Sequence, residues 1–569
     1  MVLHPFDSTR FLGYVNVVTP QNIGIHFPSA SLLARFRHEG CVYEGGNVGE
    51  FVIIEGDRYG FLAKITELQL PDSERRMLSE KAVHEDDSVF HPIAKAELLL
   101  SFSISDPDSV ERTISRFPEI GARVYASSPD YIQKFTMRFG ERSDSSSLTA
   151  QLGELVSNGA ACNPSLNSVF GRHCAVVGTT GSGKSWTVAR LIETLLSQTS
   201  DHIILFDPTG EYSSFNRRAD VTISKIVGEE CCFPYEYLKV SDLFCLLRPT
   251  AQSQRPILME AIRSLKTVRL ATKERKLTDY IKNGTLEKQS KPKLPVITYQ
   301  WTHKAEIDDI FCDFDISKLC VQINNECVYS TDNQNPQNWG QKDSKIYDYQ
   351  SSLKFRIGEL INSNDFNGLF NFRHQNTAVS MLELFETFLS SDAAQLLRLD
   401  FSKTSSAFNA REIVANAIAK RFYDMAKSDH FKTRPIIIVL DEAHLFLNKS
   451  LLDAEQTVMP LDAFDLIAKE CRKFGLYVCL ATQMPRDIPV GTLSQMGTFI
   501  VHRLINEQDR RVIETACSSA TRSSLAYLPV LGAGEALLTG VDFPMSVMLR
   551  IRKPSIPPES NTPPLIGKS

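Results

Sequence analysis

The stretch that most limits how this chain can fold is Gly178-Thr179-Thr180-Gly181-Ser182-Gly183-Lys184-Ser185, which fits G-x-x-x-x-G-K-[ST] at every fixed position. The apolar run Cys174-Ala175-Val176-Val177 precedes it. Trp186 to Gln198 follows, with Val188, Leu191, Ile192, Leu195 and Leu196 recurring at helical spacing. A strand, a glycine-rich turn and an amphipathic helix in that order frame a phosphate-binding loop and commit the chain to an α/β fold. Glycine at 178, 181 and 183 lets the backbone curl with its N–H groups inward, so that a polyphosphate meets a ring of donors at a helix N-terminus. Lys184 is placed to reach the β- and γ-phosphates, the Ser185 hydroxyl to ligate magnesium, and Trp186 to border the bound nucleotide.

A chain of 569 residues exceeds what one hydrophobic core supports, and about three or four units are expected. A net charge of −5 neither requires nor excludes nucleic acid, because a motor can grip DNA in a channel and be acidic elsewhere. The 12 cysteines are scattered, with no C-x-x-C, and read as small apolar residues in a reducing compartment, with no zinc site. Met1 to Arg10 lacks the pattern of a signal peptide, and no stretch approaches the roughly 18 apolar residues of a membrane span. A cytoplasmic protein with no membrane partner is expected.

Short β segments open the chain: Phe11 to Val18, Gly24 to Phe27, Val48 to Glu55, Tyr59 to Ile65, Ala94 to Ile104 and Val124 to Ala126. Gly49 and Gly60 stand where small-barrel corners need them, so residues 1–150 are expected to form a β-barrel of five or six strands without a site of its own. The serine run Ser145 to Ser147 marks the boundary to an α/β core over residues 151–548. Within it, about 245–430 is far more chain than a crossover needs and reads as an insertion. Arg263 to Lys293 carries ten Lys or Arg against three acids, which fits a solvated helical face better than a phosphate-binding patch. Asn324 to Gln341 reads as an exposed loop, Arg411 to Ser428 as a helix, and residues 549–569, with no core pattern and five prolines, as an extended tail over the core or a neighbouring subunit.

Three further strand ends bear chemistry. His202 to Phe206 delivers Asp207-Pro208-Thr209-Gly210-Glu211-Tyr212, where Asp207 and Glu211 are expected to face the nucleotide; the alternative is that Asp-Pro-x-Gly simply makes a turn. Pro435 to Leu440 is a continuous apolar run, hence a strand buried on both faces, and it ends in Asp441-Glu442. Asp441 would hold magnesium through water beside Ser185, and Glu442 would orient and polarise the attacking water. Leu476 to Gln483 ends in a polar pair where a γ-phosphate sensor, Gln483, would sit. Arg472, Lys473 and Arg503 are candidates for a positive charge reaching a neighbour's γ-phosphate.

The phosphate loop, Asp207-Pro-Thr-Gly-Glu-Tyr212, Leu440-Asp-Glu-Ala-His444, Cys471-Arg-Lys-Phe-Gly475 and Ala481-Thr-Gln483, in this order, resemble the HerA branch of the FtsK/HerA ring ATPases. The amino-terminal segments resemble the small barrel ahead of the HerA motor. The resemblance implies a RecA-like P-loop motor domain with an amino-terminal β-barrel and a largely helical insertion. It also implies a homohexamer that uses ATP and Mg2+ to move double-stranded DNA, with a docked effector: a NurA-type nuclease, or in anti-phage operons a nuclease or a sirtuin-like NAD-consuming enzyme. By position it makes Lys184, Ser185, Asp441, Glu442, Asp207, Glu211 and Gln483 the site in one subunit. Arg472 is the arginine finger and Arg172 a second basic residue acting across the interface. Cys471 and Met484 depart from the family's usual Gly and Arg, and neither removes a catalytic group. The alternative function for the same residues is a nucleotide-binding ring scaffold that assembles and activates its effector with little translocation.

Overall fold

Where apolar and polar residues alternate along the amino-terminal segments, a sheet with one covered face is the only way to bury the apolar set. The computed structural model of the chain describes residues 4–559, apart from 21, 39–40, 44, 76–89, 106–109, 112–115, 138–147, 158, 376, 448, 453–457 and 544. Ser145 to Ser147 and the end of the expected tail therefore lie outside the described residues. The chain divides into two compact units. The first takes the chain up to Gln198 with Cys479–Arg486 and Val490–Pro557, the second Thr199–Val478, Asp487–Pro489 and the chain from Pro558.

In the first unit, antiparallel strands run in the order Asn22–His26, Phe11–Val18, Arg123–Ala126, Phe51–Ile54, Tyr59–Gln69 and Ile93–Ser103, with Val110–Glu111 beyond. Pairing of Asn22–His26 with Ile93–Ser103 closes the six into the expected barrel. Its interior holds Val15, Ile23, Ile25, Val52, Ile54, Ala63, Ile65, Ala96 and Val124. Each large apolar side chain among them contributes roughly 1.5–3 kcal/mol by burial. Gly60 is required because its cross-strand partner Phe102 lies over it, and a Cβ there would stand 2.2 Å from the ring.

The same unit carries the phosphate-loop strand Cys174–Val177, buried along its whole length, between two parallel neighbours, Thr498–His502 and the end of Leu476–Thr482. Glu535–Gly540 and Val547–Ile551 extend this sheet antiparallel, and Gly153–Leu155 pairs with the latter. Residues 549–551, assigned to the tail from sequence, are thus a sheet strand. Their alternation, with Leu549 fully buried and Arg550 exposed, is that of a half-covered strand too short to stand out between prolines.

The second unit holds a parallel run of Ile436–Leu440, His202–Asp207, Leu396–Asp400 and Thr222–Ile226. Leu396–Asp400 falls inside the stretch read as an insertion and belongs to the sheet; a buried arginine, Arg398, breaks its apolar run and hid it. The chain between Val240–Leu247 and Met381–Ser390 is helix-rich, its longest helix Gln254–Glu274. Ala410–Lys427 is the helix expected over Arg411 to Ser428. The expected loop from Asn324 begins instead at Cys327, because Leu319–Glu326 is helical.

Candidate functional site

In the first unit the phosphate loop turns through two glycines in backbone conformations that only glycine adopts without strain, Gly181 at φ 73° and Gly183 at φ 109°. Gly178 and, again, Gly183 are needed for space. A Cβ on Gly178 would stand 2.5 Å from the His502 Cβ, and one on Gly183 would stand 3.0 Å from the Gly534 Cα. The loop is anchored to its neighbours on both sides. Gly178 N–H donates to the Thr482 carbonyl (3.2 Å), Thr179 N–H to the Arg503 carbonyl (3.1 Å), and Gly534 N–H to the Ser182 carbonyl (2.8 Å). The Ser182 hydroxyl closes the turn on the Thr179 carbonyl at 2.6 Å.

Lys184 and Ser185 open the helix Lys184–Gln198, with Lys184 5% exposed and Ser185 half-buried. Trp186 projects from the same turn, with the Lys553 ammonium 5.6 Å from its ring centre. Gln483 meets the loop directly: the Thr180 hydroxyl donates to its side-chain carbonyl at 2.6 Å. Arg172, at the entrance to the phosphate-loop strand, lies 2.8 Å from the Asp542 carboxylate.

In the second unit, Asp441 and Glu442 follow a strand buried on both faces, as its continuous apolar run requires. The Asp441 N–H donates to the Phe206 carbonyl, which fixes the strand end beside Asp207. Glu442 sits in the left-handed region at φ 41°. A non-glycine residue held there costs roughly 1–3 kcal/mol, a strain that recurs at active sites. Its carboxylate lies 3.3 Å from the His444 Nδ1.

Asp207 is fully buried, and its carboxylate accepts from Gly210 N–H (2.8 Å), Tyr212 N–H (3.1 Å) and the Arg398 guanidinium (2.8 Å). Burial raises its pKa, and the Arg398 charge opposes that rise. Its visible work is to hold the 207–212 turn, which carries Glu211, whose carbonyl accepts from Glu559 N–H at 2.7 Å. Arg472 and Lys473 lie in the turn Arg472–Phe474, Arg472 half-buried and Lys473 exposed.

Sequence reasoning missed Arg398 and His502. Arg398 lies within Leu396–Asp400, a run that closes on an acid, Asp400, as His202 to Asp207 closes on Asp207, and that parallel was the signal available. The basic run is largely spent internally. Arg263, Arg269, Lys282, Lys288 and Lys291 pair with acids, and Lys266 and Lys293 bind backbone carbonyls. Lys273, Arg275 and Lys276 remain exposed at the end of the helix. Among the described residues no group of three His, Cys, Asp or Glu forms a metal cluster, and no helix is long and apolar enough to cross a membrane.

Two family models match the chain. The family model for the central domain of helicase HerA matches residues 150–404, and that for the HerA-like C-terminal domain matches residues 422–567. The chain belongs to the HerA family. It is accordingly an ATPase of the HerA type, and both matches begin after the barrel. Two relatives of this HerA-family chain are a probable helicase of Methanocaldococcus jannaschii and the DNA double-strand break repair helicase HerA of Sulfolobus acidocaldarius. The first is 24% identical over 82% of this chain and 78% of its own length. The second is 24% identical over 71% of this chain and 69% of its own. Among solved structures, VirB4 of Thermoanaerobacter pseudethanolicus matches with a TM-score of 0.43 at 14% identity, covering 73% of this chain and 98% of that one.

Proposed function

We propose that this chain hydrolyses ATP with Mg2+ to move double-stranded DNA, working as a homohexameric ring with a docked effector enzyme. The observation that carries the nucleotide assignment is the phosphate loop itself: a glycine turn packed so closely on His502 and Gly534 that a Cβ at Gly178 or Gly183 would push the backbone out of shape, with Lys184 buried at its end. Magnesium suits the donor set, a serine hydroxyl and carboxylates, since this cation keeps several waters and takes few protein ligands. When bound, it neutralises charge developing on the phosphates.

Lys184 binds the β- and γ-phosphates, and Ser185 and Asp441 are the residues that would hold the metal, Asp441 through water. Glu442 accepts the proton of the attacking water, and Gln483, already bonded to Thr180, senses the γ-phosphate. Asp207 acts through the turn it fixes, which presents Glu211. Arg472 is the finger offered to a neighbouring subunit, with Arg172 as a second basic residue across that interface. The DNA substrate is supported by relatives named as DNA repair helicases. The ring and an effector of nuclease or sirtuin-like NAD-consuming type, including a place in anti-phage defence, rest on the family resemblance alone, and the cytoplasmic setting on the scattered cysteines and the amino-terminal sequence.

The test is ATP turnover by wild type and Lys184→Ala, with duplex DNA of increasing length. Wild type should hydrolyse ATP faster on longer duplexes, and Lys184→Ala should not turn over while its barrel stays folded. Equal rates for the two proteins would overturn the site. Stimulation only by a co-expressed effector, with no response to DNA, would overturn the motor in favour of the scaffold.

A further inference from the structure

His502 closes the strand Thr498–His502 one step beyond Val501, the register partner of Val177 at the end of the phosphate-loop strand. That step puts its side chain beneath the loop. A Cβ on Gly178 would meet the His502 Cβ at 2.5 Å, and one on Gly183 would lie 3.4 Å from the ring Cε1, so the loop backbone rests on the imidazole. The ring is fully buried and both its nitrogens are engaged. Nδ1 lies 2.9 Å from the Glu535 carbonyl, which can only accept, so Nδ1 carries the proton. Nε2 is then the acceptor, and the Thr187 hydroxyl, 2.8 Å away, donates to it.

Thr187 belongs to the first turn of the phosphate-loop helix, and its N–H donates to the Gly183 carbonyl at 3.0 Å. The imidazole therefore ties that turn to the start of Glu535–Gly540, whose neighbour Gly534 holds Ser182. With no exposed surface the ring is closed to solvent, and its effect on the site has to pass through Thr187 and the two glycines. Burial above all, and the nearby Lys184 charge, push its pKa down to about 4, so it remains a neutral acceptor at working pH.

We propose that His502 is a positioning residue that, through its bond to Thr187, sets the pitch of the first turn of the phosphate-loop helix and with it the affinity for nucleoside triphosphate. This rests on the loop being the nucleotide site. Asparagine at 502 can still donate to the Glu535 carbonyl but cannot reach Thr187. Valine at 187 keeps the shape of threonine and removes the hydroxyl.

The test measures Kd for a fluorescent ATP analogue with Mg2+, together with KM and kcat, for wild type, Thr187→Val, Thr187→Ser, His502→Asn and the double variant Thr187→Val/His502→Asn. Each of Thr187→Val and His502→Asn should weaken binding by about tenfold, because Thr187→Val leaves the buried Nε2 without its donor and His502→Asn leaves the hydroxyl only the Gly183 carbonyl of its own turn, 3.2 Å away, with no tie to Glu535. The change should appear in Kd and KM more than in kcat, and the double variant should be no weaker than the weaker single. Thr187→Ser, which retains the hydroxyl, should bind as wild type does, and it keeps the test open if an asparagine at 502 fails to fold. Affinities of Thr187→Val within twofold of wild type, additive losses in the double variant, or Thr187→Ser as weak as Thr187→Val would each overturn the proposal. Wild type that binds no nucleotide would instead overturn the reading of the loop.

Discussion

The Arg398 guanidinium spans two carboxylates, its Nη2 lying 2.8 Å from Asp207 and 2.8 Å from Asp400, with all three side chains nearly closed to solvent. Its remaining donors reach the Ser224 hydroxyl and the Gly210 carbonyl, so every face of the arginine is used. Removing one partner of a buried ionic cluster leaves uncompensated charge, which costs about 3–5 kcal/mol. Arg398→Ala should destabilise the chain by that amount in chemical denaturation. Arg398→Lys should recover only part of it, because an ammonium cannot span the two acids and the carbonyl together. A loss below about 1 kcal/mol for Arg398→Ala would show that the cluster is not the clamp of the 207–212 turn.

His502 makes stability depend on acid. Its pKa falls from 6.5 in the unfolded chain to about 4 in the folded one, so between these values the unfolded state binds the proton that the folded state refuses. The stability it contributes is fully present above pH 6.5 and is lost as pH falls towards 4, on the order of 3 kcal/mol in total. Denaturation measured across that window should be flatter for His502→Asn than for wild type. Parallel curves for the two proteins would contradict the buried neutral ring.

What the sequence disclosed follows from how local each signal is. Gly178 to Ser185 and the run ending in Asp441-Glu442 lie where expected, because each is a strand end whose chemistry is written in consecutive residues. The barrel was legible because period-two alternation is local too, whereas its closure by Asn22–His26 on Ile93–Ser103 depends on residues about seventy apart in the chain. Arg398 and His502 were not legible. An arginine within an apolar strand and a lone histidine acquire meaning only from partners, Asp207 and Thr187, that folding brings from 191 and 315 residues away. Val547–Ile551 was lost for a related reason: five residues beside prolines carry too little pattern to declare a strand whose partners are Glu535–Gly540 and Gly153–Leu155.

Gly183 offers a sharper probe of the loop than Lys184 does, because alanine there changes shape and no charge. At φ 109° a side chain is strained by roughly 1–3 kcal/mol, and its Cβ would press on the Gly534 backbone at 3.0 Å. Neither contact can yield without moving the Gly534 N–H from the Ser182 carbonyl. Gly183→Ala should therefore lose ATP binding in the fluorescent-analogue titration, while circular dichroism shows the barrel strands intact. Wild-type affinity in this variant would mean the loop backbone is not the phosphate cradle.

The barrel is joined to the rest of the first unit through an uncommon pair of charges. Lys64 and Glu97 face each other across neighbouring barrel strands. The Glu97 carboxylate accepts from the Thr521 hydroxyl (3.3 Å) and the Ser523 hydroxyl, and the Lys64 ammonium lies 5.2 Å from the ring centre of Tyr527. Lys64 is 4% exposed, and burial pushes its pKa from 10.5 down to about 8 despite the attraction of Glu97 and Glu50. The folded pKa is the lower one, so the unfolded chain holds the proton more tightly, and stability rises with pH through the window from about 8 to 10.5. At pH 7 the cost of keeping this ammonium buried is fully present, on the order of 3 kcal/mol. Lys64→Met should accordingly stabilise the chain at pH 7 by about 1–3 kcal/mol and should lack the alkaline rise of wild type, since Glu97 keeps both hydroxyl donors when the ammonium is gone. Thermal or chemical denaturation at pH 7 and pH 10 reads both effects. A Lys64→Met variant less stable than wild type at pH 7 would show that the attraction of Glu97 and Glu50 and the aromatic contact outweigh the burial of the charge.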